Sequence, residues 1–109
     1  MKEMEIKVIE RLFNVNKNNV DEISNGDRKY GIDPATLVAI ITLLAQIMPY
    51  VIEWLKKSPW FAKIRLRSFI KQQMSNGYNT GPFSIKEISD TIYDVYKDNK
   101  NLEYEYVGS

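Results

Sequence analysis

Residues 33–59, DPATLVAIITLLAQIMPYVIEWLKKSP, decide the fold of this chain. Asp33 can cap the free N–H groups of a helix, and Pro34 suits the first helical position, where its missing N–H costs no hydrogen bond. From Ala35 to Leu55 there is no Gly, and Glu53 is the only charge. Lys56 and Lys57 complement the negative end of a helix, and Ser58–Pro59 stops that helix while opening another. One long apolar helix is therefore expected over 34–57.

Such a helix can lie in two environments. Its length and hydropathy suit a membrane span, which takes about 20 mostly apolar residues, and Tyr50, Trp54 and Trp60 stand where interfacial aromatics would stand, beside a basic flank. It equally suits the core of a small bundle. The polar residues separate the two. Thr42, Gln46, Pro49 and Glu53, extended by Ala35 and Ala39 above and Lys57 below, fall on one narrow stripe at helical pitch. Leu37, Ile41, Leu44, Met48, Val51 and Leu55 form the opposite apolar face, with Ile40, Leu43, Ile47, Tyr50 and Trp54 in a seam beside it. A helix surrounded by lipid has no need to align its polar groups, whereas one showing an edge to water or to a neighbouring helix does. Pro49 lies on that edge, where a bend convex to solvent costs least. The core reading is preferred, with the face from Leu37 to Leu55 packing on other helices and on a partner or a second copy.

At 109 residues the chain is expected to form a single domain with a modest core. Its net charge of +1 argues against a global polyelectrolyte role. It contains neither Cys nor His, which removes thiolate chemistry, zinc–sulfur sites, and the commonest general base and metal ligand. The first ten residues alternate charge and lack the apolar core of a secretory signal, so secretion by that route is not expected.

Charge is unevenly distributed. Between Trp54 and Ile85 the chain carries Lys56, Lys57, Lys63, Arg65, Arg67 and Lys71 and no acid. Ser58–Pro59 opens a second, basic helix over 59–75. Ala62, Leu66, Phe69 and Ile70 share one of its faces, while Trp60, Phe61 and Ile64 lie around the other side. The strict alternation from Lys63 to Arg67 leaves a strand as an alternative. Aromatics beside a basic run suit a helix at a membrane interface, a nucleic-acid contact by stacking and phosphate pairing, or a partly buried helix whose cations reach water.

Before the long helix, 1–33 reads as a polar segment. Met4, Val8, Leu12 and Val15 fit a helix face, while Met4, Ile6 and Val8 also fit a short strand. Residues 14–19 are Asn-rich and read as a turn, with a brief helical turn near Val20–Ser24. The loop 76–83 holds two glycines four apart without a following Lys, so it is a connector and not a phosphate loop. Ser84-Ile-Lys-Glu87 is a capping box opening an acidic amphipathic helix over 84–99. Its apolar stripe is Ile85, Ile88, Ile92 and Val95, with Tyr96 alongside. Its acidic line of Glu87, Asp90, Asp94 and Asp98 would be favourable against a cationic surface, and the segment 56–71 is the obvious one. One helix face offers too few converging oxygens for calcium, and the same acids would repel phosphate from this helix. The tail, 100–109, alternates at Leu102–Tyr106 like a strand and needs a partner to order it.

The fold expected is mostly α: a small helical bundle around the central helix 34–57, with short strands conceivable at the termini. Without His or Cys, and with its acids in solvated patterns, the chain offers no nucleophile–base pair, and no enzyme, cofactor or metal is expected. The layout, with its Asp33–Pro34–Ala35–Thr36–Leu37 helix start and one apolar helix with a basic end, resembles small proteins of tailed bacteriophages. That resemblance implies a minor virion component or a membrane-acting lysis accessory, and it transfers no functional residue. The expected function is that of a structural or interaction protein, cytoplasmic or virion-associated, that self-associates or docks into a larger assembly. A membrane protein with one span at 34–55 and a basic cytoplasmic flank is the first alternative. A nucleic-acid binder using the segment 56–71 is the second.

Overall fold

The computed structural model describes residues 1–26 and 30–106. Residues 27–29 of the polar lead, and 107–109 at the end of the tail, lie outside the described residues. Five α-helices follow in order: α1 Glu3–Phe13, α2 Lys17–Ser24, α3 Pro34–Lys57, α4 Pro59–Ser75 and α5 Ile85–Asp98; a 3₁₀ helix, Lys100–Tyr106, closes the described chain. The fold is mostly α, as expected.

Helix α3 begins as its sequence dictates. The Asp33 carboxylate accepts from the backbone N–H of Ala35 at 3.0 Å, and Pro34 opens the helix. With a rise of about 1.5 Å per residue the helix is about 36 Å long, and it accounts for most of the molecule's longest dimension of 41 Å. Pro49 cannot donate to the carbonyl four residues back, but both Pro49 and Ala45 are exposed, so water can satisfy that carbonyl.

Helices α1, α3, α4 and α5 form a closed ring in which each packs on the next: α1 on α3, α3 on α4, α4 on α5 and α5 on α1. Helix α2 lies on α1 and α3, and the 3₁₀ helix wedges between α1, α3 and α5. The shared core holds Leu37, Ile40, Leu43, Leu44, Ile47, Met48, Val51, Ile52 and Leu55 of α3, with Met4, Val8 and Ile9, Val20 and Ile23, Ala62, Leu66 and Ile70, and Ile88, Ile92 and Val95. Each fully buried aliphatic side chain of this kind contributes about 1.5–3 kcal/mol relative to exposure. Ala35, Thr42, Gln46, Pro49, Glu53 and Lys57 are exposed and Ala39 is half-buried, so the polar stripe is the solvent edge of α3.

Four expectations need correction. The face Leu37, Ile41, Leu44, Met48, Val51 and Leu55 packs on the other helices as expected but is not also open to a partner: Leu44 and Val51 are 0% exposed, the others are buried apart from half-buried Ile41, and the chain's own helices cover them. The segment 1–33, read as polar, also supplies core, for α1 and α2 bring five side chains to it. The Asn-rich stretch is where α2 begins: Asn16 and Asn19 cap each other's backbone N–H at 3.2 Å in a reciprocal box, so the asparagines start a helix as well as end one. Finally, no strand occurs among the described residues. The terminal segments and 61–70 are helical, because no sheet edge exists to satisfy an extended backbone, and a 3₁₀ helix meets the tail's hydrogen bonds locally while placing Leu102 and Tyr106 on the core.

Candidate functional site at the α3–α4 corner

Helix α4 is anchored by Ala62, Leu66 and Ile70, three buried residues four apart. Helical geometry then turns Trp60, Phe61 and Ile64 away from the core, and they are 72%, 58% and 58% exposed. The Trp60 and Phe61 rings meet edge to face, with centroids 4.8 Å apart and planes at 78°. A shallow groove of about 260 Å³ runs beside them, lined by Pro59, Trp60, Lys63, Ile64, Arg67 and Tyr93.

Cations surround this apolar cluster. On the α5 side, Lys63 and Arg67 each reach Asp90 at 3.3 Å, and Lys86 joins them at 2.8 Å. The Lys63 ammonium also stands 4.9 Å from the Tyr93 ring centre. Three cations on one carboxylate lower its pKa to about 2; the Lys86 hydrogen bond is the largest cause, with Lys63 and Arg67 adding to it against the opposing effect of burial. On the opposite side, the Arg65 guanidinium lies 5.1 Å from the Trp54 ring centre. Trp54 in turn packs on Phe69 at 5.7 Å, and Tyr50 adjoins both rings. Lys56, Lys57 and Lys71 are exposed. Lys57 holds Glu53 at 3.1 Å, whereas Lys56 and Lys71 form no ion pair with any described residue.

The six basic positions read from the sequence do not form one patch: Lys56 and Lys57 end α3, where they line a cavity with Tyr106, and the other four are spread along α4. Lys63 and Arg67 are engaged by Asp90; Lys56, Lys57, Arg65 and Lys71 face outward. The acidic line of α5 does not cover the basic segment as a unit. Only Asp90 meets it, while Asp98 reaches Arg11 of α1 at 3.4 Å and Glu87 accepts from the Ser84 backbone N–H in the capping box. The contributions of Tyr93 and of the Tyr50–Trp54–Phe69 cluster were not legible beforehand, since each depends on which faces of separate helices meet. No group of three or more His, Cys, Asp or Glu residues that could hold a metal is present among the described residues.

Helix α1 is tied to the 3₁₀ helix by its own set of hydrogen bonds. The Glu105 carboxylate accepts from the backbone N–H groups of Glu3 and Met4 at 2.9 and 3.0 Å, and Lys2 donates to the Glu105 carbonyl at 2.8 Å. Glu5 is buried, and Tyr106 donates to it.

No family model matches the chain, and comparisons with curated proteins and with solved structures give no match either.

Proposed function

We propose that this protein is a non-enzymatic interaction protein that docks through the outer face of α4, and not through the apolar face of α3. The observation that carries this reading is the contiguous exposure of Trp60, Phe61 and Ile64 on one side of α4. Bulky apolar side chains grouped on a surface and rimmed by polar residues are characteristic of a site that is covered in use. The chemistry of the chain supports a binding role. It has no His or Cys, and the Asp90 carboxylate is held ionised by three cations, the opposite of a general acid.

Oxidative footprinting tests the reading directly. Trp60 and Phe61 should be protected in intact cells expressing the protein and reactive in the purified protein, with Tyr104, exposed elsewhere, as an internal reference. Equal reactivity of the two rings in both settings overturns it.

A spanning role for α3 is the second reading, because this helix alone among the described residues is long and apolar enough to cross a membrane. It requires the nine buried side chains of α3 to exchange the chain's own helices for lipid. Expression without detergent as a defined soluble species rejects it.

A further inference from the structure

We infer that the surface on which α4 docks is an anionic lipid bilayer, which the protein meets peripherally, with Trp60, Phe61 and Ile64 entering the headgroup boundary and the surrounding cations resting on the headgroups. This rests on the docking reading above and names its partner.

Two features of the corner must be satisfied at once. The first is apolar protrusion. Trp60, Phe61 and Ile64 project from one helical turn, and aromatic residues beside aliphatic ones are the side chains that settle at the boundary between headgroups and acyl chains. The second is charge. Lys63, Arg65, Arg67 and Lys71 lie along the same helix and Lys56 and Lys57 end the helix before it, and the carboxylates paired with these cations are Asp90 and Glu53. The excess is positive, and Lys and Arg side chains held close to the negative surface of an acidic membrane are attracted to it. Long basic side chains next to buried rings can extend to phosphates while their stems stay apolar.

A single-stranded nucleic acid would satisfy the charge but not the apolar surface. Base stacking needs free ring faces. Here the edge-to-face contact of Trp60 with Phe61 covers one face of one ring, and Ile64, which is as exposed as Phe61, offers no ring on which a base could stack. An acidic protein would need a matching apolar knob or groove at the same spot. A bilayer needs neither, because its boundary layer adapts to the shape presented.

Co-sedimentation of the full chain with phosphatidylcholine vesicles, with and without phosphatidylglycerol, tests this. Binding is expected only with phosphatidylglycerol, and it should weaken as salt screens the headgroups. Trp60→Ser with Ile64→Ser should abolish it while leaving the circular dichroism unchanged, since both residues are on the surface. Lys56→Ser with Lys71→Ser, which breaks no ion pair among the described residues, should weaken it by about thirtyfold, the worth of two cations at such a surface. In a Trp54→Phe background, brominated acyl chains should quench Trp60 fluorescence. Failure to bind acidic vesicles, equal binding to both lipid compositions, full binding by the Trp60/Ile64 variant, or preference for a single-stranded oligonucleotide each overturns the inference. Footprint protection of Trp60 in cells together with no vesicle binding would retain the docking site and reject lipid as its occupant.

Discussion

The Tyr106 hydroxyl donates a 2.7 Å hydrogen bond to the Glu5 carboxylate, joining the first helix to the end of the described chain. Glu5 is only 4% exposed, and a buried carboxylate without a donor costs more than the bond itself contributes. Tyr106→Phe should therefore destabilise the protein by about 1–3 kcal/mol, read as a fall in thermal midpoint of roughly 5 °C or more. An unchanged midpoint would mean that Glu5 reaches water and that the two ends are not clasped.

Alkaline pH should act through two tyrosines. Burial, reinforced by the Glu103 carboxylate 3.0 Å away, pushes the Tyr96 hydroxyl up to about 12. Burial and Glu5 push Tyr106 upward as well. In the unfolded chain both ionise near 10, so the folded state holds more protons above that pH and its stability declines as pH rises. Stability should be level below about pH 10 and fall progressively toward 12. Tyr96→Phe should flatten that decline in denaturant titrations, and a variant as alkali-sensitive as the parent would contradict the assignment.

Asp90 governs the acid side. Its folded pKa of about 2 lies below the ordinary value of 3.8, so its contribution is complete above about pH 4 and disappears as pH falls toward 2. The carboxylate is 27% exposed, and after allowance for solvent screening the contribution is about 1 kcal/mol. Asp90→Asn should remove that part of the acid dependence. It should also free Lys63 and Arg67 and so strengthen binding to an anionic surface. Comparison of the two proteins at low and high salt measures both effects.

Gly81 tests how closely the 76–83 loop approaches α3. Its φ of +58° lies in the left-handed region, and a Cβ there would come within 2.5 Å of the Thr36 Cγ2. Gly81→Ala should cost about 1–3 kcal/mol from backbone strain and collision together. Adding Thr36→Ser removes the methyl but not the strain, so it should recover only part of the loss. Full recovery would show that the backbone angle is unimportant at this position.

The loop illustrates a wider division. Two glycines and Pro82 mark 76–83 as irregular from residue types alone, but only the folded loop, with its positive φ and the nearby Thr36, makes Gly81 necessary. Helix α1 shows the same limit. It lacks a side-chain cap from Lys2, and the cap arrives from Glu105, about a hundred positions away, which no local rule can locate.

The sequence by itself determined the extent of α3, its solvent edge, the capping at Asp33 and Ser84, the shared face of Ala62, Leu66, Phe69 and Ile70, and the gathering of cations between Trp54 and Ile85. These follow from helical periodicity, caps and charge order, which are properties of neighbours in the chain. Tertiary structure decided which apolar face remained bare. By periodicity alone Leu37, Leu44, Met48, Val51 and Leu55 are as apolar a group as Trp60, Phe61 and Ile64. The closed ring of four helices covers the first group and leaves the second outside, because burial depends on what packs across a face and not on how apolar that face is.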